Sequence, residues 1–289
     1  MLNTRIATTN RQKFNYFNWK NSKPDIVLIH GLASNLHIWE LVGELLSREF
    51  NVIAYDQRGH GLSDKPLIGY DFDSITEDLL SLCISLNLSN PIIVGHSWGA
   101  NVVIEALAKD EGKYYQGGIL VDGGILNIYK DSPSLWADIE LNLSPPNLEH
   151  LSIDELIGRV QSNQSGYWYS VMENVLRSSF DVVDNHIKSK LSRGNHMTIL
   201  NNIWAQNIKE LLIHIKSPVL ILPVSQGHGV SHSPNMHGMP KIEAVDLARS
   251  LLAKSTVEWI YDSIHDVPIQ NPNAVSKAII KHKSNLFFV

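Results

Sequence analysis

The pentapeptide Gly95-His-Ser97-Trp-Gly99 constrains this chain more than any other feature of its sequence. Pro91-Ile-Ile-Val94 before it is an apolar run of strand character, and residues 97–109 read as a helix. A strand that passes directly into a helix must bend sharply. Glycines two residues to either side of a serine let the two backbones approach and leave the hydroxyl exposed above the end of a sheet. A helix opening there also presents N–H groups that lack intrahelical partners, beside that hydroxyl. The bland alternative is a tight turn with a capping serine. The strand before it and the helix after it argue against that reading.

The rest of the chain supplies the matching rhythm, in which short apolar runs alternate with longer helical patterns, as in a parallel sheet with crossover helices. Residues 2–8 and 13–19 flank a Thr-Asn-Arg turn and read as a hairpin. Strands are expected at 25–30, 51–56, 91–95, 118–122, 218–222 and 256–261. Helices are expected at 38–50, from an N-cap at Asp73 through 86, and at 97–109, 242–253 and 273–283. Between 125 and 215 the rhythm lapses into helix-like sequence rich in Asn, Ser and large aromatics. The reading is an α/β core in two pieces, 1–124 and 216–289, around a helical insertion at 125–215.

Composition narrows the classes. A chain of 289 residues, 44% hydrophobic, can bury one large core without staples. Its net charge of −5 is well mixed, with no basic stripe for nucleic acid. Cys83 is the single cysteine, so no intrachain disulfide can form, and its apolar helical surroundings make it a buried small hydrophobe. No run approaches the ~20 apolar residues of a membrane span, and the opening residues lack a signal-peptide core; a cytoplasmic location is expected. His228, His232 and His237 have no Cys or paired carboxylate among them and match no zinc spacing, so they read as part of a lid-like loop.

His30-Gly31, Asp56-Gln-Arg58-Gly59-His60-Gly61 and Gly95-His-Ser97-Trp-Gly99 follow one another in the order of landmarks of the α/β-hydrolase superfamily, and the chain resembles its serine-nucleophile, esterase- and lipase-like branch. The resemblance implies an eight-stranded, mostly parallel sheet flanked by helices, with a helical cap inserted after strand six. It also implies a Ser, acid, His triad. Ser97 is then the nucleophile. His265, in Tyr261-Asp-Ser-Ile-His265-Asp-Val-Pro268 after the last strand, is the general base. The backbone N–H groups of Trp98 and Leu32 would form the oxyanion hole.

The acid departs from the commoner pattern. Most members carry an aspartate after strand seven, but Leu222-Pro-Val-Ser-Gln-Gly-His228-Gly holds no carboxylate, and none follows before Glu243. Some members place the acid at the end of strand six, where Asp122 stands in Leu120-Val-Asp122-Gly-Gly124. A triad acid needs proximity to the imidazole rather than a set place in the chain. Asp122 is the expected acid, with Glu243 and Asp246 as rivals. Asp56 and Arg58 are expected to brace a loop as an ion pair.

Trp136, Trp168 and Trp204 are the expected pocket residues of the insertion. They point to a small, mainly apolar substrate, and no guanidinium cluster stands out for a second anionic group. The expected reaction is hydrolysis of an ester, thioester or lactone through an acyl-enzyme, on a small molecule, without metal or organic cofactor and without a nucleic-acid partner. Such a fold is compatible with a homodimer. The alternatives are C–C bond hydrolysis or acyl transfer by the same triad, or a ligand-binding member of the fold without turnover.

Overall fold

The computed structural model describes residues 2–125, 136–163, 169–227 and 240–286. In chain order these comprise β1 (Arg5–Thr8), β2 (Lys13–Trp19), β3 (Asp25–Ile29), α1 (Glu40–Leu46), β4 (Asn51–Tyr55), α2 (Phe72–Ser85), β5 (Ile92–His96), α3 (Trp98–Asp110) and β6 (Gly117–Val121). There follow α4 (Trp136–Leu143), α5 (Ile153–Asn163), α6 (Ser170–Ser179), β7 (Phe180–Val183), β8 (His186–Ser189), α7 (Arg193–Ala205) and α8 (Ile208–His214). The chain closes with β9 (Val219–Leu222), α9 (Lys241–Leu251), β10 (Ser255–Val257), α10 (Val267–Gln270) and α11 (Pro272–Leu286).

Among the described residues, eight strands form one sheet in the order β1-β2-β4-β3-β5-β6-β9-β10. β2 is antiparallel to β1 and to β4, and every other pairing is parallel. The central strands are β-branched runs because both of their faces are covered. Ile26 and Leu28 pack on one side with α1, α11 and α6, whereas Val27 and Ile29 pack on the other with α2, α3, α8 and α9. This is the strand period of two, with both faces dry. Cys83 is fully buried in the second of these layers, and burial pushes its thiol pKa up.

Several local expectations are corrected. Asp71, not Asp73, caps α2, accepting from the Ser74 N–H at 2.8 Å; Asp73 lies in the first turn instead. The 38–50 helix resolves into a 3₁₀ turn, Leu36–Trp39, followed by α1. The last strand stops at Val257, and beyond it only Ile260 bridges to Val224. The 125–215 segment holds a β7–β8 hairpin as well as helices, turned by Asp184 and Asn185 with φ of 49° and 65°. Its last helix, α8, packs on α3 and α9 within the core layer. Arg58 pairs with Asp78, which Arg11 also reaches at 3.1 Å, rather than with Asp56. Asp56 accepts from the backbone N–H groups of Leu36 and Leu62 and from Asn15. Among the described residues no helix is long and apolar enough to cross a membrane.

Candidate active site

Ser97 joins β5 to α3 with φ 55° and ψ −122°, a conformation that an L-residue holds only when its surroundings enforce it. The glycines explain how the turn is packed. A Cβ on Gly95 would lie 2.1 Å from the Gly99 carbonyl oxygen, and one on Gly99 would lie 2.4 Å from that of Ile29. Strand, helix and the neighbouring β3 therefore meet backbone to backbone at this point.

His265 lies in the loop after β10, and its side chain is half exposed. Its Nε2 is 3.0 Å from Ser97 Oγ, and its Nδ1 is 2.8 Å from Asp122 Oδ2. Asp122 follows β6 directly with φ 42° and is buried. Its other oxygen, Oδ1, accepts from the Val224 N–H at 3.1 Å and from Lys241 Nζ at 2.8 Å. Lys241 also donates to the Val224 carbonyl at 3.1 Å. The segment after β9 thus supplies the donors that hold Asp122. Glu243 and Asp246 lie exposed on α9.

These contacts shape the ionisation of the pair. Burial favours the neutral form of each group, but their mutual hydrogen bond and opposite charges outweigh it. The carboxyl of Asp122, helped by Lys241, titrates below its ordinary value, and the imidazole of His265 titrates above its own. Asp266, next in the chain, is pushed up by burial against a smaller opposing effect of His265.

Three further histidines, each within one of the landmark motifs, set the frame. His96 Nε2 donates to the His265 carbonyl at 2.7 Å, tying the β5 end to the histidine loop. His30 donates from Nδ1 to the Gly31 carbonyl at 2.8 Å and accepts the Gln57 N–H on Nε2 at 3.0 Å. His60 donates from Nδ1 to the Arg58 carbonyl and accepts the Ala33 N–H at 3.2 Å, while its ring stacks on Trp98 at 5.6 Å. Burial drives their pKa values down, to about 4 for His30 and about 3 for His60 and His96, so all three are neutral braces. The 30–34 loop that His30 and His60 pin stands against Ser97, since a Cβ on Gly31 would lie 3.5 Å from Ser97 Oγ. Leu32 and Trp98, the expected oxyanion donors, have no acceptor for their N–H groups among the described residues.

Trp136 and Trp204 pack on each other with ring centroids 5.9 Å apart. Trp168, His228, His232 and His237 lie outside the described residues. A cavity of about 570 Å³ opens beside the pinned loop, reached by Ala33, Ser34 and His60 and walled by the β7–β8 hairpin and the start of α7. Neither Trp136 nor Trp204 lines it.

Comparison with known proteins agrees with this architecture. The family model described as alpha/beta hydrolase fold matches residues 24–145. Over 90 residues the chain is 43% identical to the 2-(acetamidomethylene)succinate hydrolase of Mesorhizobium japonicum, which is 31% of this chain and 32% of that protein. The first curated relatives are matched over about a third of their own length. The non-heme chloroperoxidase of Streptomyces lividans is 23% identical over 95% of this chain and 97% of its own. The crystal structure of E-2-(acetamidomethylene)succinate hydrolase superposes with a TM-score of 0.78 at 22% identity, covering 97% of this chain and 98% of that one. The eight-stranded, mostly parallel sheet flanked by helices and the whole-chain superposition show that the chain has the α/β-hydrolase fold.

Proposed function

We propose that the protein is a serine hydrolase that cleaves an ester, thioester or lactone through an acyl-enzyme on Ser97. The observation that carries this reading is the continuous line from Ser97 Oγ to His265 Nε2, and from His265 Nδ1 to Asp122 Oδ2, at 3.0 and 2.8 Å. His265 takes the proton from Ser97 as Oγ bonds to the substrate carbonyl carbon. The carbonyl oxygen becomes an oxyanion held by the Leu32 and Trp98 N–H groups. Collapse expels the alcohol or thiol, which receives that proton from His265. In the second half His265 deprotonates a water that attacks the acyl carbon, and Ser97 leaves reprotonated. Asp122 keeps the imidazole in the tautomer with its proton on Nδ1 and stabilises the imidazolium. Within the expected insertion at 125–215, the described elements before α8, from α4 to α7, serve as the cap over this site. The relative and the solved structure named as 2-(acetamidomethylene)succinate hydrolases support hydrolysis as the reaction class.

Intact-mass analysis after fluorophosphonate treatment tests the reading, with Ser97→Ala as control. A single adduct in wild type that is absent from the variant is the expected result. A folded wild-type protein that takes no adduct would overturn it in favour of a non-catalytic binding protein.

A further inference from the structure

The cavity beside the pinned loop carries chemistry that the triad does not explain. Lys188, Lys190 and Arg193 line it, against one carboxylate, Glu149. Lys190 is the unusual member, because its side chain is only 9% exposed. Among the described residues its ammonium has one close acceptor, the Ser178 carbonyl at 3.1 Å; the nearest carboxylate, on the largely exposed Asp181, is 3.9 Å away. An ammonium carries three donors, and a buried one is costly unless they are met. Lys65, four residues after the cavity-lining Gly61, adds to the positive field. Its ammonium spans the Gly61 and Ser63 carbonyls, and burial, then Lys190, lowers its pKa against the pull of Asp181, Asp56 and Asp64.

Leu148, Phe180, Ile187 and Leu191 give the cavity an apolar part, beside several serines and two histidines. Ala33 and Ser34, directly after the expected oxyanion donor Leu32, also line it. The sequence suggested a mainly apolar substrate, and the cavity adds cationic groups to a partly apolar lining. We propose that Lys190, with Arg193 and Lys188 at the rim, forms a subsite for a carboxylate borne by the substrate, separated from the scissile carbonyl by a short aliphatic chain. This assignment rests on the reading of Ser97 as the nucleophile.

Two aryl esters with six-carbon acyl chains test it: the 4-nitrophenyl monoester of adipic acid and 4-nitrophenyl hexanoate, in which a methyl replaces the carboxylate. Wild type should favour the adipate ester in kcat/KM. Lys190→Met should reduce that preference about tenfold or more, chiefly through KM, as expected for losing a hydrogen bond to a charged group. Lys190→Arg should retain most of it. No preference in wild type, or a ratio unmoved by Lys190→Met, would overturn the subsite. Calorimetry with free adipate and hexanoate on Ser97→Ala separates the two readings. Adipate binding that Lys190→Met abolishes supports the subsite even if Ser97 is inert. No adipate binding overturns the subsite even if Ser97 is labelled.

Discussion

Lys241 Nζ lies 2.8 Å from Asp122 Oδ1, on the oxygen opposite the one that holds His265. The carboxylate is therefore shared between an imidazole and an ammonium, and the ammonium reaches it from the side of β9. Lys241 favours ionised Asp122 and opposes protonation of His265. Replacing it with Met should move the acid limb of fluorophosphonate labelling to higher pH, while Lys241→Arg should stay close to wild type. A limb at the same pH in Lys241→Met would show that the lysine does not act on the base.

The sign for wild type follows from the same contacts. In the proposed mechanism His265 acts as a base only when neutral, and its pKa lies above the ordinary 6.5. Labelling should therefore fall off on the acid side with a midpoint above 6.5. Asp122→Asn removes the raising interaction and should shift that limb downward while costing about 10⁴ in turnover; Ser97→Ala should cost about 10⁶. Comparable turnover in wild type and Asp122→Asn would exclude Asp122 as the acid.

Backbone strain at Ser97 has a stability signature. A conformation with φ 55° and ψ −122° costs a residue with a Cβ on the order of 1–3 kcal/mol, whereas glycine adopts it freely. Ser97→Gly should melt higher than Ser97→Ala, by about 1 kcal/mol after the entropy that glycine adds to the unfolded chain. Equal melting of the two inactive proteins would mean that the turn is not strained.

The buried histidines should make the fold acid-sensitive. His30, His60 and His96 have folded pKa values of about 4, about 3 and about 3, below the unfolded 6.5. Their contribution is complete above 6.5 and is lost as pH falls toward those values, because the unfolded chain then binds more protons. Stability should drop by up to about 4 kcal/mol per pH unit below that point if all three titrate together. His265 has the opposite sign: its contribution is complete below its unfolded value and fades as pH rises through its folded one. Urea unfolding at pH 7.0 and 5.0 measures the balance, and an unchanged midpoint would contradict the neutral-brace assignment.

Local chemistry was legible wherever it obeyed a short period or a turn rule. The buried β-branched runs, the hairpin at the start and the strand-to-helix bend at Ser97 were all readable, because two glycines and an apolar run leave the backbone few choices. The β7–β8 hairpin also had a readable signal, Asp184-Asn185 between β-branched residues, which the surrounding helical pattern obscured. The partners of Asp122 had no such signal. Val224 and Lys241 are 17 residues apart, and Lys241 is 119 residues from Asp122. Likewise Lys188, Lys190 and Arg193 lie within six residues, but it is the packing of the hairpin, residues 145–149 and the 30–34 loop that gives them a common cavity.

The sequence by itself determined where the backbone must bend and which stretches must be buried, since steric exclusion and hydrophobic periodicity act over a few residues. It also marked Ser97 and His265 by their places relative to strands. Tertiary structure alone decided which groups share a proton or a charge. Hydrogen bonds and Coulomb interactions depend on distances of about 3 Å, and the packing of β6 against β9 and the histidine loop sets those distances.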